Sequence, residues 1–73
     1  MEKTVVFLVR LRKKDDIAFF NFILESYEGL GVSTILDPKE GLVKLEVPEG
    51  LEEEAREFLM GLKGEMDLEW SKL

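Results

Sequence analysis

Apolar and polar residues change period several times along the chain, and each change marks an element. Thr4 to Leu11 is dense in β-branched and aromatic residues, the composition of a buried strand. Strand alternation puts Val5, Phe7, Val9 and Leu11 on one face. Thr4, Val6, Leu8, Arg10 and Arg12 fall on the other, which begins apolar and ends basic. A charged turn from Lys13 to Asp16 follows, with Asp15 or Asp16 placed to cap a helix. From Ile17 to Glu28 the period lengthens to about 3.6 residues. Ile17, Phe19, Phe20, Ile23, Leu24 and Tyr27 then share one arc, and Phe22 is the apolar misfit on the polar side. Gly29 and Gly31 supply a helix stop and a chain reversal.

The second half repeats the element order with different residues. Val32 to Leu36 reads as a strand, with Val32, Thr34 and Leu36 alternating against Ser33 and Ile35. Asp37-Pro38-Lys39-Glu40-Gly41 is a turn by its chemistry. In the next strand, Leu42 to Val47, the residues Val43, Leu45 and Val47 alternate with Leu42, Lys44 and Glu46. After Pro48-Glu49-Gly50, a helix is predicted from Leu51 to Lys63, with Leu51, Ala55, Phe58, Leu59 and Leu62 as its apolar stripe. Glu52, Glu53 and Glu54 occupy its first turn, where the helix dipole favours negative charge, and Gly64 stops it. Met66 to Ser71 reads as the last strand, with Met66, Leu68 and Trp70 inward. Right-handed crossovers and one hairpin join these elements into an α+β, ferredoxin-like βαββαβ sandwich. Its four-stranded antiparallel sheet has the order 4-1-3-2, with both helices on one face, in a single domain spanning residues 1–73.

Composition narrows the chemistry. The 73 residues leave room for one small core, which rarely stands alone by a wide margin without a staple. Cys and His are both absent, so disulfides and thiolate sites are excluded; only carboxylates remain as ligands, and no zinc, other metal site or cofactor is expected. A net charge of −6 disfavours nucleic acid and anionic membrane surfaces as partners. The longest apolar run, Val5 to Val9, is too short to cross a bilayer, and Met1-Glu2-Lys3 leads straight into a strand, so cytoplasmic residence without a signal peptide is expected. Glu and Lys dominate, Gln is absent and Asn21 is the single Asn, a balance resembling that of thermophile proteins. No His, no Cys, no activated Ser and no glycine-rich phosphate loop is present, and Gly29-x-Gly31 lies at the wrong end of its helix for one, so no catalytic residue is expected.

Two surfaces remain as candidates. The uncovered sheet face carries Val6, Leu8, Arg10, Leu42 and Lys44, a candidate seam for a homodimer or another protein; Phe22, on the helix, marks a further contact. Arg12, Lys13, Lys14, Asp15 and Asp16 lie where the first strand meets the first helix, the candidate site for a small metabolite. Lys39 and Lys63 fall at the same pole by topology, and Glu28, Glu49, Glu52, Glu53 and Glu54 at the opposite one.

The open face of the third strand lacks the aromatics that RNA-recognition motifs need. Asp15-Asp16-Ile17-Ala18-Phe19-Phe20, followed by Gly29-Leu30-Gly31-Val32-Ser33, resembles the ACT-like regulatory domain, without that family's Pro-Gly. The stretch from Asp16 to Gly29, followed by Leu36-Asp37-Pro38-Lys39-Glu40-Gly41-Leu42-Val43, resembles an uncharacterised bacterial family of short stand-alone domains, a domain of unknown function. Those resemblances imply a ferredoxin-like fold. They imply a non-catalytic, self-associating regulatory or metabolite-binding module, or else a subunit docking on a larger protein through its open sheet face.

Overall fold

The computed structural model describes residues 3–73. In chain order it contains β1 (Thr4–Leu11), α1 (Asp15–Glu25), β2 (Val32–Asp37), β3 (Leu42–Pro48), a short 3-10 turn (Glu49–Leu51), α2 (Glu52–Lys63) and β4 (Leu68–Lys72). The four strands form one antiparallel sheet in the order β2-β3-β1-β4, the predicted order read from the other edge. On the central pair, Val5, Phe7 and Val9 stand opposite Val47, Leu45 and Val43, and all six are buried. Ile17, Phe20 and Leu24 of α1 join the same core as Ala55, Phe58, Leu59 and Leu62 of α2. Both helices therefore cover one sheet face, and burial of these side chains at about 1.5–3 kcal/mol each is the main stabilising term.

Phe58 is where the two helices meet. The Phe20 ring lies 5.9 Å from it and the Tyr27 ring 5.0 Å, edge-on. On the far side of α2, the Trp70 ring packs edge-to-face on Phe7 at 5.6 Å, and the Arg56 guanidinium lies 5.6 Å from each of those rings. Arg56 Nη2 also donates to the Glu52 carboxylate at 3.0 Å, and Lys72 Nζ donates to it at 3.2 Å. This group fastens α2 to the edge strand β4.

Several boundaries differ from those predicted. α1 ends at Glu25, not Glu28, because Ser26 closes the last turn through its own N–H and hydroxyl, both donating to Ile23 O at 3.0 and 2.5 Å. Gly29 takes its left-handed φ of 74° after the helix has stopped. Neither Asp15 nor Asp16 caps α1: Lys14 holds the cap position with helical dihedrals and no side-chain bond, and the two acids sit in the first turn. Phe19 and Tyr27, predicted as core, are about half exposed, since the shortened helix turns a narrower arc inward. β4 starts at Leu68, not Met66. Met66 is buried as predicted, but its N–H donates to Leu62 O at 2.9 Å, so it belongs to the exit from α2.

Gly41 permits the turn between β2 and β3 for two reasons. Its φ is 66°, and a Cβ there would fall 1.9 Å from Leu11 O. Gly29 has a similar φ but open space around it. Gly41→Ala should therefore cost about 2 kcal/mol or more, against about 1 kcal/mol for Gly29→Ala, in urea denaturation. Equal costs would show that the approach to Leu11 does not constrain the turn. The Glu52 carboxyl is held below its ordinary range by the hydrogen bonds from Lys72 and then Arg56. Its contribution is thus present above the unfolded value of about 4.3 and is lost as pH falls through the lower folded value. Wild type should lose more stability than Glu52→Gln as pH is lowered from about 5 to about 3; parallel curves would show that the group contributes nothing.

Candidate functional site

At the end of β1 the chain folds tightly into α1. The Asp16 N–H donates to Lys13 O at 3.0 Å and the Ile17 N–H to Lys14 O at 3.2 Å. These bonds occupy two amides that an anion at the helix N-terminus would use. The predicted ligand residues divide between two open clefts. Lys13 and Asp16 line one together with Lys63, Glu65 and Asp67. Arg12 lines the other with Arg10, Lys39, Glu40 and Glu69. Lys14 and Asp15 border neither cleft. Lys39 and Lys63 do gather at this pole with Arg12 and Lys13, as topology predicts. Acids accompany them: Arg12 Nε lies 3.7 Å from Asp67, and Arg10 reaches Glu40 at 3.6 Å. Exposed pairs of this kind add little stability, but they cancel the field a simple anion would need. The pole is mixed in sign rather than basic.

The predicted sheet-face residues are brought together. Val6, Leu8 and Arg10 stand opposite Glu46, Lys44 and Leu42 across the β1–β3 seam. Val6, Leu8 and Leu42 are already half buried by their neighbours, and Lys44 pairs with Glu46 at 3.5 Å. This face is a shallow apolar floor under a grid of charges. Phe22 lies apart from it, on the helical layer, with 70% of its surface exposed.

Most of the large exposed apolar side chains lie on α1 and β2, and one of them, Val32 beside Glu46, belongs to the open sheet face. Phe19, Phe22 and Tyr27 on or just after α1, and Val32, Ile35 and Leu36 on β2, account for all of them among the described residues except Met60 and Leu73. Sequence reasoning identified Phe22 but missed the β2 residues. A signal was there: Val32 to Leu36 contains no charged residue and no Pro, in a chain of which 36% is charged. β2 is an edge strand, and natural edges are guarded by such residues. The other edge, β4, carries Glu69 and Lys72. The guard on β2 is a bulge at Leu36, between Ile35 and Asp37. One polar link ties α1 to this strand, the Ser33 hydroxyl donating to Asn21 Oδ1 at 2.5 Å.

Among the described residues, no group of three His, Cys, Asp or Glu is placed to hold a metal ion, and no buried side-chain polar atom lacks a partner. No helix among them is long and apolar enough to cross a membrane. Glu52, the carboxyl with a lowered pKa, is engaged in fastening α2 to β4. Neither the curated proteins nor the solved structures contain a match to the chain. A family described as Domain of unknown function (DUF4911) matches residues 10–66, from the end of β1 through the exit of α2, and the chain belongs to that family.

Proposed function

We propose that this chain is a non-catalytic interaction module on the ferredoxin-like plan, acting in the cytoplasm by associating with itself. The observation that supports this reading most is the concentration of exposed Phe22, Val32, Ile35 and Leu36 on the α1–β2 half of the molecule. Exposed apolar side chains on a small protein mark an interaction site, and a core this small gains more than a large one from added burial. The same observation favours the β2 edge over the centre of the open sheet face, where Val6, Leu8 and Leu42 are half covered and the charges already paired.

Control by a small metabolite belongs to the same reading as its ACT-like part. The cleft lined by Lys13, Asp16, Lys63 and Asp67 offers both signs of charge a few residues apart, which suits a zwitterion such as a free amino acid better than a simple anion. Solution mass by size exclusion with light scattering tests the self-association. Wild type and Leu8→Glu should both run as dimers, and Val32→Glu should run as a monomer. A monomeric wild type at every concentration contradicts the reading. A dimer split by Leu8→Glu but not by Val32→Glu moves the seam to the centre of the sheet face. For the cleft, free amino acids at millimolar concentration should raise the Tm of wild type but not of Lys13→Ala, since a ligand that binds the native state stabilises it by mass action; no shift with any of them removes the metabolite part.

A further inference from the structure

The backbone of β2 identifies the occupant of this surface more narrowly. On the β1–β3 seam, the Leu11 N–H donates to Gly41 O at 2.8 Å, and the Glu49 N–H donates to Lys3 O at 2.9 Å. Bonded pairs alternate along an antiparallel ladder. The odd-numbered residues of β3 therefore aim their N–H and C=O at β1, and Leu42, Lys44 and Glu46 aim theirs at β2. Lys44 and Glu46 stand opposite Thr34 and Val32. It follows that Ser33 and Ile35 turn their backbone donors and acceptors outward, onto the bare edge.

We infer that β2 pairs antiparallel with β2 of a second copy about a twofold axis at Thr34, extending the sheet to eight strands across the dimer. This rests on the self-association proposed above and specifies its geometry. In that register Ser33 meets Ile35 of the second copy, so the outward-facing groups on both chains are matched and no bonded position is left over. Val32 comes to the bulge at Leu36 of the second copy, where pairing ends; the two apolar side chains are 66% and 48% exposed in one chain. Thr34 faces its own equivalent.

Charge and shape fit the same register. A chain of net charge −6 should repel its copy, yet the segment that meets is uncharged. Beyond it, the Asp37–Gly41 turn of one copy arrives beside the segment from Glu28 to Gly31 of the other. Exposed Lys39 then approaches exposed Glu28 of the second copy, twice by symmetry. An open cleft of about 350 Å³ lies at that end of β2, lined by Lys3, Gly29, Gly31, Val32, Glu46 and Pro48, and it receives the arriving turn. A closed, isologous pairing also uses up both bare edges, whereas pairing β2 with β4 would run on as a filament.

A charge swap at the axis tests this register. Thr34 is exposed, so Thr34→Lys and Thr34→Glu should fold with melting curves close to that of wild type. Each alone places two like charges face to face and should weaken dimerisation by on the order of tenfold or more in analytical ultracentrifugation. Mixing the two variants should restore a dimer containing one of each. A Thr34→Lys variant that dimerises as tightly as wild type overturns the inference while leaving self-association intact. Two monomeric variants that fail to combine overturn the axis at Thr34. A wild type that is monomeric throughout removes both the inference and the reading beneath it.

Discussion

Phe58 determines how the helical layer sits on the sheet. Two aromatic rings from the α1 side, Phe20 and Tyr27, pack on that one side chain of α2, so α1 is held toward its neighbour helix. The inward arc of α1 is Ile17, Phe20 and Leu24, and what faces β2 from the helix is the amide of Asn21. A helix gripped on one flank and polar on the other cannot close over the sheet edge. The exposure of Ile35, on the helix side of β2, follows from that grip, as does the availability of the β2 edge itself; Val32, beside Glu46, is exposed because no helix covers its face. At the other edge the reverse holds. Arg56, Trp70, Glu52 and Lys72 knit α2 to β4, and Glu69 and Lys72 give that strand its charges.

Most of the architecture was legible in the sequence because the central strands obey a period of two without interruption. Val5-Phe7-Val9-Leu11 and Val43-Leu45-Val47 specify one buried face, and a slip of one residue would expose every member. The apolar stripe of α2 was equally clear, since Ala55, Phe58, Leu59 and Leu62 are its only buried residues and all were predicted. α1 was less legible. Its sequence is apolar almost all round, so periodicity could not tell Phe20, which is buried, from Phe19, which is half exposed. Its end was set by Ser26 closing on Ile23, a local contact that propensity does not foresee.

The candidate surface was legible only in part. Val6, Leu8 and Arg10 fall opposite Glu46, Lys44 and Leu42 on the open sheet face, because alternation places those residues without further information. The β2 edge was not recognised, because a strand reads the same whether a helix covers it or not. What decides the matter is the packing of α1 on Phe58, which lies some 22–26 residues away in sequence from the β2 positions. The absence of charge between Val32 and Leu36 was the available clue, and its meaning depends on the strand being an edge. For a small chain of strong net charge, one uncharged edge is a physically economical way to confine association to a single direction.

Amide hydrogen exchange across a dilution series, resolved to single residues in β2, tests the central claim most directly. Ser33 and Ile35 point their N–H groups away from β3, so in an isolated chain they should exchange as freely as exposed backbone. The account predicts that both become protected as protein concentration rises, while Thr34, already bonded to β3, changes far less. Free exchange at Ser33 and Ile35 at every concentration would contradict it.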